Sequence, residues 1–141
     1  MRRVFQVSAV GVLLVSAVAC GSEGPPERSV AAACDVVEKS SGTQFVDDAE
    51  RAVAVGDWDS YEDAVKDAVK FYRDFEARAP EEVRPAAEQM RKLQEEVQEI
   101  AQKHDYKMDN EEAVGDLMSI DSSGGVFGML EMIDWIQINC S

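Results

Sequence analysis

The side chains of this 141-residue chain best suited to special chemistry are three cysteines, Cys20, Cys34 and Cys140, one histidine, His104, and a dense population of carboxylates. A single histidine excludes HExxH and every two-histidine zinc pattern. His104 falls on the apolar stripe of a predicted helix, where it reads as a capping or packing residue. The run Asp105, Asp109, Asn110, Glu111, Glu112, Asp116 has the acidity of a calcium loop but not its order. Lys107 takes a ligand position, no glycine follows Asp109, and Asp116 stands where a bidentate glutamate belongs. There is no GxSxG elbow, and Gly124, Gly125 and Gly128 are not followed by GK[ST], so they read as a turn into the last helix. With 28 acids in the chain, pairs of carboxylates arise by chance. No catalytic residue, metal ligand or cofactor is assigned, and no enzymatic activity is expected.

Cys20 follows the run MRRVFQVSAVGVLLVSAVA, which has the three parts of a secretory signal: two arginines, an apolar stretch, and small residues at Ala17 and Ala19. The apolar stretch is shorter than the ~20 residues that span a bilayer and is diluted by Gln6, Ser8 and Ser16. Ala17-Val18-Ala19 satisfies the small-x-small rule of ordinary signal cleavage. The tetrad Ala17-Val18-Ala19-Cys20 also resembles the lipobox of bacterial lipoproteins. That resemblance implies a cysteine diacylated on sulfur that becomes the first residue after cleavage. Both processing routes stay open, so the alternative is plain secretion. Odd-cysteine arithmetic favours lipidation, because a modified Cys20 leaves Cys34 and Cys140 as an even pair. The polar, Gly/Pro-rich segment 20–27 then reads as a tether. Two acyl chains hold a protein on a bilayer where one does so only marginally.

Removing residues 1–19 takes away Arg2 and Arg3 and no acid, moving the formal charge from -14 to -16. Such a chain is repelled by nucleic acid and by anionic lipid, and no nucleic-acid partner is expected. Residues 28–141 are long enough for one compact domain with a real core.

The elements that must position these residues read as helical throughout, and the expected fold is an all-α small helical bundle. From Glu81 to His104, the residues Val83, Ala86, Met90, Leu93, Val97, Ile100 and His104 recur at three and four spacing. Before it, Asp59 with Glu62 makes a capping-box-like start, and Tyr61, Val65, Ala68, Tyr72, Phe75 and Ala79 follow at heptad-like spacing. Ala79-Pro80 separates the two, since proline disfavours helical geometry in its predecessor and can open the next helix. They form the central antiparallel hairpin of the bundle. Weaker signals predict helices over Arg28–Lys39, with Val30, Cys34 and Val37 on one face, and over Phe45–Val55, stopped by Gly56. Asn110 caps a short helix through Met118. Ser122 or Ser123 caps the last, whose Met129, Ile133, Ile136 and Cys140 share a face. Cys34 and Cys140 thus sit at the two ends of the domain on apolar faces, and an oxidising exterior favours joining them.

The lipobox-like Cys20, the acidic helical body, the Ala79-Pro80-Glu81 junction and the cysteine beside the C-terminus together resemble small helical lipoproteins of actinobacteria, most of which have no assigned activity. The resemblance transfers no functional residue. The expected function is a lipid-anchored extracytoplasmic module that binds an envelope component without catalysis. Its membrane contact is the lipid on Cys20, and its envelope partner or ligand is unspecified. The alternatives are a carrier of a small apolar ligand between helices and, more weakly, an envelope hydrolase. Trp58, Tyr61, Tyr72, Phe75, Phe127 and Trp135 are pocket candidates whose spacing suits core better. Met108, Met118, Met129 and Met132 form an adaptable binding surface if exposed.

Overall fold

The computed structural model describes residues 25–40, 44–121 and 123–140. The predicted signal peptide 1–19, Cys20 and the first part of the tether lie outside them, as does Ser122. The described residues hold six helices and no strand: α1 (Val30–Lys39), α2 (Gln44–Val55), α3 (Trp58–Arg78), α4 (Arg84–Lys103), α5 (Glu111–Met118) and α6 (Ser123–Asn139). Among them, no helix is long and apolar enough to cross a membrane.

The all-α bundle is built on α3 and α4, which run antiparallel as the spacing predicts. Arg73 of α3 reaches Glu95 of α4 at 2.8 Å, while Arg91 of α4 bonds both Glu76 of α3 and, at 2.6 Å, Glu95. Higher numbers on one helix therefore meet lower numbers on the other. Helices α1 and α2 pack on the α3 side of this hairpin, and α5 and α6 on the α4 side. One apolar cluster surrounds the closed end of the hairpin, with Val36, Phe45, Phe71, Phe75, Val83, Met90, Met132 and Trp135 among its members. A second, around Ala52, Tyr61, Val65, Ala101, Tyr106, Met108 and Ala113, closes the open end.

Local sequence explains most boundaries. Gly56 adopts φ +70°, and its N–H and that of Asp57 donate back to Val53 and Ala52 carbonyls, so glycine ends α2 in a left-handed cap as expected. Asn110 caps α5 by accepting from Ala113 N–H at 2.8 Å. Several starts differ from the sequence reading: α1 begins at Val30 behind its Ser29 cap rather than at Arg28, and α2 at Gln44 rather than Phe45. The cap of α3 is Asp57, not Asp59, because Asp57 Oδ1 accepts from Ser60 N–H at 3.2 Å and Trp58 is already helical. Helix α4 begins at Arg84 rather than Glu81: Pro80 opens a turn whose carbonyl accepts from Val83 and Arg84, and Pro85 sits in the first helical turn. Ala79 is extended, with ψ 135°, as a residue before proline prefers.

Two helix faces also differ. On α1 the buried residues are Ala33 and Val36, with Cys34 and Val37 packed beside them and Val30 exposed. On α6 the buried residues are Gly125, Gly128, Met132 and Trp135, whereas Met129 and Ile133 point outward. The glycines expected in a turn are instead the contact surface of α6 against α4. A Cβ on Gly128 would stand 2.9 Å from the Ala86 carbonyl oxygen, and one on Gly125 would clash with Leu93. Only glycine lets these two backbones approach so closely.

Cys34 and Cys140 form a disulfide with Cα atoms 5.3 Å apart across a sequence separation of 106. It ties the start of the bundle to the end of α6. Trp135 adds a second tie, since its ring meets Phe75 edge-on at 5.9 Å and its Nε1 donates to Glu82 Oε1 at 3.1 Å.

Candidate functional site

Three places in the described residues gather chemistry. The first joins α4 to α5. His104 ends α4, and its Nε2 lies 2.8 Å from Asp116 Oδ2 of α5. With Glu112, these residues bring three potential ligand atoms within 4.8 Å of one another. A cation already serves them, because Lys103 Nζ stands 2.6 Å from Asp116 and 3.7 Å from Glu112. Hydrogen bonds from Lys103 and then His104 hold the Asp116 carboxyl below the usual range. A divalent ion would have to displace the ammonium, so this cluster is a charge-satisfied clasp between helices. His104 plays the capping and packing part read from its position. Lys103 pairs here with α5, whereas i,i+4 spacing predicts a pair with Glu99 one turn earlier.

The second place is an open groove of about 530 Å³ between α1, α2 and α3. Val36, Phe45 and Phe71 contribute apolar surface, but its walls carry Asp35, Lys39, Asp48, Asp67, Lys70, Asp74 and Arg78. Lys39 pairs with Asp35 at 2.6 Å and Lys70 with Asp74 at 2.9 Å. Such a lining offers little to an apolar ligand, because the ligand would desolvate charges it cannot satisfy.

The third is the outer face of α6. Val126, Met129, Leu130 and Ile133 are spaced i, i+3, i+4, i+7 and are exposed, with Leu130 at 54%. Phe127 borders them at 72% exposure, and Ile138 lies further along at 78%. A helix apolar nearly all round is normally buried on all sides. Here the glycine face is the one that packs, so the bulky face is left to solvent.

No family model, curated protein or solved structure matches the chain. The site therefore rests on its own geometry. Of the aromatics weighed as pocket candidates, Tyr61, Tyr72, Phe75 and Trp135 are core, Trp58 is half-buried, and Phe127 is the exposed one. Burial pushes the Tyr72 phenol up to about 12, in keeping with a core residue. The methionines divide in the same way. Met108 and Met132 are buried, while Met118, at 81%, and Met129 are exposed. The structure joins Cys34 to Cys140, and Cys20 lies outside the described residues. Sequence reasoning missed Val126 and Leu130, and it placed Ile133 on the inner face. The available signal was the composition of the segment, which holds only Glu131 and Asp134 as charges between Ser123 and Asn139.

Proposed function

We propose that this protein is a non-catalytic, lipid-anchored extracytoplasmic module that binds an envelope component through the outer face of α6. The observation that carries the reading is the exposed set Val126, Phe127, Met129, Leu130 and Ile133 on a chain of formal charge -14. Contiguous apolar patches of this kind on an otherwise solvated protein mark interaction surfaces. The Ala17-Val18-Ala19-Cys20 tetrad, the polar tether and the even cysteine pair supply the anchoring half of the reading. A structural disulfide is at home in an oxidising compartment. Pro25 to Arg28 are exposed and precede the Ser29 cap of α1, so a tether there meets the folded body without entering its core.

The test is photo-crosslinking in intact cells, with the reactive residue placed in the full chain at Leu130 or, as a control, at Asp63 on the exposed side of α3. Position 130 should give discrete adducts with an envelope component, and position 63 should not. Identical patterns at the two positions refute the reading.

A further inference from the structure

We infer that the outer face of α6 is built to receive a basic amphipathic helix of a protein partner, an inference that rests on the proposed function and names the chemistry of its partner. The shape comes from the spacing. Val126, Met129, Leu130 and Ile133 form a single i, i+3, i+4, i+7 stripe. An exposed stripe of this spacing meets a second helix through its own apolar seam. From Val126 to Ile133 the stripe runs for ~10 Å at ~1.5 Å per residue, which matches about two turns of a partner helix, with Phe127 along its border.

The charge comes from α6 itself and from the composition of the C-terminal sequence that contains it. Beyond Lys107 the chain carries Asp109, Glu111, Glu112, Asp116, Asp121, Glu131 and Asp134, and no lysine, arginine or histidine. Glu131 and Asp134 are exposed on α6 itself, and neither has an ion pair among the described residues. The cations nearest in sequence on α4 are engaged elsewhere: Arg84 with Glu81, Arg91 with Glu76 and Glu95, Lys92 with Glu88, and Lys103 with Asp116. An occupant must therefore bring apolar surface and positive charge together. A second copy of this chain brings the same acids, and an anionic bilayer brings phosphates, so both meet like charge. A helix with leucine-type residues on one face and lysine or arginine along its flanks satisfies both requirements.

The experiment uses the full chain carrying Cys20→Ser, with its disulfide intact, and two labelled 18-residue peptides. Both peptides place leucine at helical i, i+3, i+4, i+7 positions, and the remaining positions are lysine in one and glutamate in the other. Fluorescence anisotropy at physiological salt should show the lysine peptide binding at least tenfold tighter than the glutamate peptide. Phe127→Ser with Leu130→Ser should weaken it at least tenfold, and Val53→Ser with Val55→Ser, exposed on α2, should leave it unchanged. Because the charge could act at a distance, Glu131→Lys with Asp134→Lys is the second variant, and it should reverse the preference between the peptides. Equal binding of the two peptides, or indifference to both α6 variants, overturns the inference. So does α6-dependent flotation with phosphatidylcholine vesicles, which would make the occupant a membrane, or α6-dependent dimerisation in sedimentation, which would make it a second copy. Crosslinking from Leu130 in cells without lysine-peptide binding leaves the proposed function standing and removes this inference alone.

Discussion

Gly128 of α6 lies so close to Ala86 of α4 that a Cβ there would stand 2.9 Å from the Ala86 carbonyl oxygen. The obstacle is backbone, which cannot rotate away as a side chain can. Gly128→Ala should therefore cost about 1–2 kcal/mol net, the overpacking penalty outweighing the ~1 kcal/mol that alanine gains in a helix. Gly124, with nothing nearer than Gln89 Oε1 at 3.9 Å, is the control, and Gly124→Ala should be neutral or stabilising. Urea unfolding of the two variants reads the contrast.

The two helix ends in left-handed geometry make an opposed pair. Gly56 closes α2 at φ +70°, and Asp105 closes α4 at φ +51° with the same pattern, Asp105 N–H donating to Gln102 and Tyr106 N–H to Ala101. A left-handed conformation costs a non-glycine residue on the order of 1 kcal/mol. Asp105→Gly should thus stabilise the fold by up to about 1 kcal/mol, and Gly56→Ala should destabilise it by a similar amount. Thermal melts giving both changes the same sign would contradict the cap assignment.

The Cys34–Cys140 bond closes most of the folded chain into one loop. In the chain-entropy account, a loop of that length is worth ~4–5 kcal/mol. Alkylation of the purified domain without reductant should find no free thiol at either position. Reduction should lower Tm by at least ~10 °C. Quantitative labelling of both cysteines in unreduced protein would count against the bond.

Asp116 sets part of the acid limit of stability. Its carboxyl is held low by the hydrogen bonds from Lys103 and His104. A group depressed in the folded state contributes fully above its unfolded pKa, near ~3.9, and loses that contribution as pH falls through the folded value. Carbon NMR should find the Asp116 midpoint below ~3.9, and Asp116→Asn should flatten this part of the acid limb. A midpoint at or above the free value would remove the clasp from the account of stability.

Lipidation at Cys20 is testable without reference to the fold. The wild type should partition into detergent and incorporate labelled acyl chains, and Cys20→Ser should abolish the label because serine cannot form the thioether. The same variant keeps Ala17 and Ala19, so ordinary cleavage can release it to the medium. A wild-type protein found soluble and unlabelled would sink the anchor.

Much of this architecture was legible in one dimension because its causes are local. Three-and-four spacing of apolar residues revealed α3 and α4, a proline between them forced the turn, and Gly56 and Asn110 marked a stop and a start that depend only on their own backbone and side chain. The pairing of Cys34 with Cys140 followed from counting. The disposition of α6 did not, for a physical reason. Periodicity selects an inner face only when one side of a helix is polar, and this helix is apolar nearly all round. It packs on α4 through the face where Gly125 and Gly128 present no side chain, and a Cβ on Gly128 would meet the Ala86 carbonyl oxygen. Lys103 likewise has an acid one turn away in Glu99 but pairs with Asp116, which the turn after α4 brings to 2.6 Å. Sequence thus determined which segments are helices and, to within a few residues, where they begin and end. Tertiary packing alone decided which side of α6 is left facing solvent, because close approach between backbones is a property of two helices and is written in neither.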